Sequence, residues 1–301
     1  MIQERPMIVV TTPTGAIGRQ VLDNLLANRV DAIRVIVRDP SRLPERVADI
    51  VDVAQGSHDD TDVVRKAFAG ADAVFWLVPP DPQASSVHAA YVDFSRPASK
   101  AFKIEGVKRV VGVSALGRGT PCAAHAGLVT ASLAMDDLIG SSGVNYRALT
   151  MPSFMDNVLR QVEPIKQEGV FSLPITGDLK QPSCATRDIA AVATNLLCDD
   201  SWSGVGHAAV LGPEDLSYND MAQIMSDVLG KPVRFHEIPI EAFRQRMLAR
   251  GMSEAMAQAN ADMWRAYGQG LDTAEPRTPE STTPTSFRQW CEQVLKPAVL
   301  A

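Results

Sequence analysis

A chain of 301 residues that is 46% hydrophobic has enough length and apolar content for one large domain or two modest ones, each with a full core. Its formal net charge of −6 argues against nucleic acid or an anionic membrane surface as the main partner, since both reward a basic face. The start, Met1 to Pro6, lacks an apolar leader core, and no later apolar run approaches a membrane span, so the expected location is the cytoplasm.

Strand and helix patterns alternate from the beginning. Met7 to Val10 is a short β-prone run, and Ile17, Val21, Leu22, Leu25 and Leu26 then recur at helical spacing. Between them Thr11 to Gly18 reads T-T-P-T-G-A-I-G, a strand-to-helix turn whose first free helical N–H groups suit a phosphate. Gly15 would let a pyrophosphate approach the backbone, and Gly18 would let helix and strand pack closely. Thr12 does not readily take a positive φ, so the turn is expected to use ordinary backbone angles stiffened by Pro13. The residues expected to meet a dinucleotide here are Thr12, Thr14, Gly15, Ala16, Ile17 and Gly18.

Ala32 to Val37 reads as a second strand and Ile50 to Ala54 as a third. A helix from Asp62 to Ala69 follows, with Thr61 as N-cap, and leads to the apolar run Ala73 to Val78, which ends in Pro79-Pro80. Ser86 to Ile104 looks helical, but Pro97 should kink or break it. Arg109 to Ser114 and Val144 to Leu149 read as further strands, and Met151 to Asn157 leaves the end of the latter. Repeated β-α-β units with near-continuous apolar strands predict a parallel sheet covered by helices on both faces. Farther on, Ser217 with Asp220 caps a helix whose stripe is Met221, Ile224, Met225 and Val228. Helical patterns resume over Glu241 to Leu248 and Ser253 to Tyr267; Asp272 to Thr285 is a loop, and Ser286 with Gln289 opens a closing helix. Cys122, Cys184, Cys198 and Cys291 show no C-x-x-C or Cys/His spacing, so neither a disulfide framework nor a metal site is expected.

Aligned on its last two glycines, the turn resembles the T-G-A-T-G-x-x-G fingerprint of the NmrA-like family, the atypical short-chain dehydrogenases, with Thr12 in place of the first glycine. The resemblance continues in Val35 to Pro40, Phe75 to Pro80, Asp136 to Ile139 with Ser142 to Val144, Arg187 to Ala190, Leu211 to Glu214 and Leu229 to Val233. It implies a Rossmann-type α/β fold with a doubly wound parallel sheet and a smaller, mainly C-terminal α/β substrate domain. The cofactor domain would span 1–155, with pieces near 186–212 returning to its sheet, and the substrate lobe 156–301.

Arg38 ends the second strand about where an acidic residue would hold the ribose of NAD, and an Arg there can pair with the 2′-phosphate of NADP. NADP is therefore the expected cofactor and NAD, through Asp39, the alternative. The adenine is expected near Arg38, Ser57 and His58, and the nicotinamide near Val78, Pro79, Pro80, Ser114 and Pro152. The family's aromatic position beside the nicotinamide falls on Phe154 and Met155, expected to bind substrate.

Ordinary short-chain dehydrogenases use a Tyr-x-x-x-Lys pair, and here Leu128 and Ser132 lie where it would be; no lysine occurs between Lys108 and Lys166. Ser114, the strand-end serine, and His125, the nearby imidazole, are the catalytic candidates. A ketone would become an alkoxide, whose conjugate acid has a pKa of roughly 15.7 if water is the guide, and would need an acid. A quinone becomes a phenolate-like anion with a pKa of about 10, which solvent can protonate. Together with the resemblance, this points to an NAD(P)H-dependent oxidoreductase that gives hydride to a small quinone or extended aromatic. An aromatic polyketide whose reduced form reacts on with oxygen is one such substrate. The competing class is a nucleotide-sensing regulator of the NmrA kind. Nothing in the sequence decides whether the protein is a homodimer.

Overall fold

The computed structural model describes residues 6–301, so all but Pro6 of the N-terminal stretch read above lies outside the described residues. In chain order the first part runs β1 (Met7–Thr11), α1 (Ala16–Ala27), β2 (Ala32–Val37), α2 (Glu45–Ala48), β3 (Asp52–Gln55), α3 (Thr61–Phe68), β4 (Ala73–Trp76), α4 (Phe94–Ile104), β5 (Arg109–Val113), α5 (Leu128–Gly140) and β6 (Asn145–Thr150). Then come β7 (Ser153–Phe154), α6 (Val162–Glu168), β8 (Val170–Leu173), β9 (Gln181–Cys184), α7 (Thr186–Cys198), β10 (Val205–Ala209) and β11 (Asp215–Leu216). The chain closes with α8 (Tyr218–Leu229), β12 (Arg234–Glu237), α9 (Ile240–Ala249), α10 (Glu254–Gly268), α11 (Phe287–Trp290) and α12 (Lys296–Leu300).

Seven strands form one sheet in the order β10-β6-β5-β4-β1-β2-β3, every pair parallel. This is the doubly wound Rossmann order, and the strand order reverses between β1 and β4, which opens a crevice at the carboxyl ends of those two strands. The sheet is built this way because its central strands are apolar on both faces: Val9, Val10, Val74, Phe75 and Trp76 are fully buried. One face packs on α1 and α7 through Val21, Leu22, Leu25, Ile189 and Ala193; the other packs on α3, α4 and α5 through Phe68, Phe102 and Met135. Each such side chain contributes about 1.5–3 kcal/mol by leaving water, so truncating Leu25, fully buried in the last turn of α1, costs about 2–5 kcal/mol.

A second core gathers α6, α8, α10 and the C-terminal helices with β11 and the two-stranded sheet β12-β8. Ser217 and Asp220 form the expected reciprocal cap of α8, and Met221, Met225 and Val228 are buried, while Ile224 packs on the core from its edge. Strand β10 pairs with β6, so the large sheet includes chain from both halves.

Several local expectations are corrected. Asp60, not Thr61, caps α3, accepting from the N–H groups of Asp62 and Val63. The third strand begins at Asp52, because Glu45–Ala48 is helical and Ile50 is 61% exposed beyond it. Pro97 does not break its helix. A π-helical turn over Ala89–Asp93 precedes α4, and the wider turn accommodates the proline ring and the carbonyl it leaves without an N–H. Among the described residues, no helix is long and apolar enough to cross a membrane.

Candidate cofactor and active site

The turn between β1 and α1 stands at the crevice. Thr12 adopts φ +51, so the expectation of ordinary angles is overturned: the turn needs a left-handed residue at this point, and threonine fills it at a steric cost. Pro13 follows, and the N–H of Gly15 closes the turn on Thr12 O at 2.9 Å. Gly18 is demanded by packing, because a Cβ there would lie 2.2 Å from Thr12 O and 2.9 Å from Thr11 O. Gly15 is different. Its φ of −85° suits any residue, and a Cβ would meet Thr12 O at an ordinary 3.4 Å. Neither backbone nor neighbours require glycine at position 15, which fits a ligand's approach there. The first turn of α1 has no side-chain cap and no acidic residue, and among the described residues the buried Thr12 hydroxyl has no hydrogen-bond partner. Free helical N–H groups, an orphaned hydroxyl and a bare glycine are the donors and the space a pyrophosphate uses.

At the end of β2, Asp39 is engaged. Its carboxylate accepts from the Ser41 N–H at 3.1 Å and the Ser41 hydroxyl at 2.7 Å, which together hold it below the usual carboxylate range. Arg38 is exposed, and its guanidinium has no hydrogen bond or ion pair among the described residues. Arg38 thus offers an unpaired positive charge at this strand end, as a 2′-phosphate requires. Arg38 acts electrostatically on His58, so the two expected adenine-side groups are brought together. The His58 side chain, however, is turned inward: it is 7% exposed, packs edge-on against Trp76 and Phe94, and its Nε2–H donates to Leu77 O at 3.0 Å. Burial pushes its pKa down to about 4, which keeps the imidazole neutral. His58 can offer backbone to a ligand, while its ring pins the end of β4. Thr11 ties the same end from the other side, its hydroxyl donating to Phe75 O and accepting from Leu77 N–H, both at 3.0 Å.

Ser114 caps the end of β5 and is 7% exposed. Its hydroxyl donates to Asp136 Oδ2 at 2.5 Å, and Tyr146 donates to Asp136 Oδ1 at 2.6 Å. Ser132, one of the two residues standing where the absent Tyr-Lys pair would be, lies 3.5 Å from Ser114 Oγ. Arg118 reaches Asp136 at 3.7 Å from the solvent side. Burial pushes Asp136 up to about 6 against the lowering effects of both hydroxyls and of Arg118. Asp136 and Tyr146 were missed as site residues from sequence; Asp136 figured only as part of a family run, and Tyr146 as a strand residue. The signal was the spacing that sends Asp136 inward from α5 toward the end of β5.

The remaining expected residues divide. Val78 and Pro152 are buried beside the ends of β4 and β6, Pro79 is exposed and Pro80 half-buried. The loops after β5 and β6 are joined by Leu116 N–H donating to Met151 O at 3.2 Å. Phe154 is half-buried and packs on the core of the large sheet. Met155 is 1% exposed within the second core, so of the two expected substrate contacts only Phe154 keeps accessible surface. His125 is exposed in a short 3-10 turn, at a cleft of about 480 Å³ shared with Cys122, Asp262 and Arg265; Ser114 and Phe154 do not line this cleft. Among the described residues, no cluster of His, Cys, Asp and Glu could hold a metal ion.

A family model described as NAD(P)H-binding matches residues 13–200, more than half of the chain. A reductase of Streptomyces griseus, named for (4-alkanoyl-5-oxo-2,5-dihydrofuran-3-yl)methyl phosphate, is 32% identical over 290 residues, covering 94% of this chain and 96% of the relative. An NAD(P)H azoreductase of Xenophilus azovorans is 29% identical over 258 residues, covering 86% of each. Among solved structures, the fold is shared with Citrobacter triphenylmethane reductase complexed with NADP(H), at a TM-score of 0.78 and 21% identity over 95% of this chain and 99% of the other. It is shared too with an Escherichia coli NADPH-dependent quinone oxidoreductase complexed with NADPH, at a TM-score of 0.73 and 22% identity over 98% and 99%. With its glycine turn, parallel sheet and strand-end serine, the chain belongs to the NAD(P)H-binding family, among the NmrA-like reductases of the atypical short-chain dehydrogenase group.

Proposed function

We propose that this protein is an NADPH-dependent reductase of a small, flat, electron-poor acceptor, a quinone or extended aromatic, whose reduced form is a weakly basic anion. The observation that carries the reading is the strand-end site itself: Ser114, Ser132, Asp136 and Tyr146 replace a Tyr-Lys pair, and among the described residues the cation reaching Asp136 is Arg118. Such a site has no ammonium group to lower a phenol's pKa and stabilise an alkoxide, so it suits acceptors that need less help. The relatives' names support the class, since an azo compound and an oxo-dihydrofuran bearing an alkanoyl group are both electron-poor π systems. An aromatic polyketide quinone belongs to the same class, and its reduced form can react on with oxygen to a hydroxylated product.

The bound dihydronicotinamide supplies the hydride. In this reading Gly15, Thr12 and the first turn of α1 hold the pyrophosphate, and Arg38 takes the 2′-phosphate. Val78, Pro79, Pro80, Ser114 and Pro152 border the nicotinamide, and Phe154 offers the aromatic wall on which a flat acceptor stacks. Residues 1–155, with 186–212, serve the cofactor and 156–301 the substrate. The test is NADPH oxidation with a panel of quinones, azo dyes and acyl-dihydrofuranones, followed by nicotinamide absorbance. Turnover with at least one class is expected; tight NADPH binding without turnover of any would identify a nucleotide sensor instead.

A further inference from the structure

Ser114 has one hydroxyl proton, and the geometry around it shows where that proton goes. The backbone is fixed first. The Ser114 N–H donates to Leu149 O at 2.9 Å, continuing the β5–β6 pairing, while on the other side β5 pairs with β4 up to Gly112 and Trp76, so Ser114 stands at the carboxyl end of β5, next to the strand that borders the crevice. Its hydroxyl donates to Asp136 Oδ2 at 2.5 Å, a distance short enough for a bond to a charged acceptor. The other carboxylate oxygen takes the proton of Tyr146 at 2.6 Å. An ionised carboxylate can only accept, so neither hydroxyl can give its proton to a third group without breaking one of these bonds.

What remains on the Ser114 oxygen is its lone pairs. Ser132 Oγ lies 3.5 Å away, and with the Ser114 proton spent it is Ser132 that donates in this pair, through a long and weak bond. Among the described residues, no other side chain meets the Ser114 oxygen. The charged groups facing Asp136 are Arg118, at 3.7 Å, and Asp137, which pairs with Arg118 at 2.9 Å. Burial raises the Asp136 carboxyl to about 6, so at pH 8 it is ionised and holds both hydroxyl protons. Ser114 therefore offers the strand end an acceptor and no proton.

We propose that Ser114 is the hydrogen-bond acceptor of this site and that Asp136 is the positioning residue that makes it one, so the ligand group lying over Ser114 carries an N–H or O–H. The inference rests on the reductase reading above, which sets Ser114 beside the nicotinamide. Two ligand groups there supply such a donor: the carboxamide NH2 of the nicotinamide and a hydroxyl on the substrate. A quinone carbonyl does not, because its oxygen would meet a lone pair. The reducible carbonyl is thereby directed away from Ser114, which does not polarise it. That suits an acceptor whose reduced form is weakly basic and takes its proton from solvent.

The experiment compares dissociation constants at pH 8 for two pairs of probes alike in shape. One pair is NADP+ and its 3-acetylpyridine analogue, in which a methyl replaces the carboxamide NH2. The other is 2-hydroxymethyl-1,4-naphthoquinone and 2-ethyl-1,4-naphthoquinone, titrated into protein saturated with NADP+ so that no hydride can pass. Ser114→Ala should weaken the donor-bearing member of one pair about 3- to 10-fold and leave the other three ligands within about twofold; the pair affected names the source of the donor. Asp136→Asn keeps an acceptor for Tyr146 but turns an N–H toward Ser114, whose proton is then released to the ligand. It should abolish the same preference with Ser114 still in place, and the double variant should go no further. In the parent the preference should fade as pH drops through about 6, because a protonated Asp136 donates to Ser114 in the same way, and the ratio within a pair cancels whatever both ligands share. This pH arm decides the part played by Asp136 if the Asn variant fails to fold. Equal losses within both pairs, no loss in either, or a larger loss for the member without the donor would overturn the inference. Where the parent binds NADP+ but neither naphthoquinone, the cofactor pair alone decides. A parent that binds no NADP+ would instead remove the reductase reading, and the inference with it.

Discussion

Tyr146 lies across Gly112 and donates its hydroxyl to Asp136 at 2.6 Å, so a glycine near the end of β5 makes room for the tyrosine that binds the same carboxyl as Ser114. A Cβ on Gly112 would fall 2.3 Å from the Tyr146 oxygen and 2.7 Å from its ring. The ring is 1% exposed and has nowhere to retreat. Gly112→Ala should therefore cost about 1–3 kcal/mol, the usual range for an overfilled core, read as a lower urea midpoint. In a Tyr146→Leu background the same alanine should cost much less. Equal costs in both backgrounds would show that the tyrosine is not what the glycine accommodates.

The two glycines of the turn separate fold from ligand. Gly18→Ala drives a methyl into backbone carbonyls of Thr11 and Thr12 that cannot swing aside, so thermal stability should fall whether or not cofactor is present. Gly15→Ala adds a methyl at an ordinary contact distance, on a backbone any residue adopts, so stability should hold within about 1 kcal/mol. NADPH affinity should nonetheless fall, because the methyl occupies the space given to the pyrophosphate. A Gly15→Ala protein that binds NADPH normally would move the pyrophosphate elsewhere.

Much of the sheet was legible because apolar periodicity and turn chemistry act locally: β2 falls on Ala32–Val37, and the Ser217–Asp220 cap opens α8 as read. Thr12 was misread because its left-handed angle is imposed by the crossing of α1 over β1, a tertiary demand that outweighs the residue's own preference. His58 looked like a surface group beside a turn, yet Trp76 and Phe94 enclose it from elements 18 and more residues away. Asp136 stood in the sequence only as part of a family run, because its partners, Ser114 and Tyr146, come from separate strands. The loop reading of Asp272 to Thr285 was sound for the backbone.

His58 should give the protein an acid-sensitive component of stability. Its folded pKa of about 4 lies below the unfolded value near 6.5, so between them the unfolded chain binds more protons. This contribution is full above pH 6.5 and is lost as pH falls toward 4, by about 3 kcal/mol. Asp136 and Asp272, whose folded values are raised, act oppositely: their neutral forms favour the fold at low pH, and that advantage fades as pH rises through about 6 and about 8. The difference between the parent and His58→Gln, which keeps a donor for Leu77 O, isolates the imidazole. Urea midpoints from pH 4 to 7 should show the variant losing less stability on acidification. Parallel curves would mean that the ring is already protonated, or free to leave its site, in the fold.

In the proposed cofactor site, Arg38 is the residue expected to choose between the two nucleotides. Asp39 Oδ1 is held by the Ser41 N–H and hydroxyl, while the exposed Arg38 guanidinium has no ion pair among the described residues and would be open to a 2′-phosphate. A charge-assisted, two-pronged contact of that kind is worth about 1.5–3 kcal/mol. Arg38→Asp removes it and adds repulsion, so the NADPH dissociation constant should rise about 10- to 100-fold, while NADH, lacking the phosphate, changes by less than about threefold. Raising salt should weaken NADPH binding to the parent and barely affect the variant. Fluorescence titration of both nucleotides against both proteins reads each expectation directly. Equal losses for NADPH and NADH would show that Arg38 shapes the pocket without reading the phosphate, and would return the choice of cofactor to the backbone of the Ser57-His58 turn.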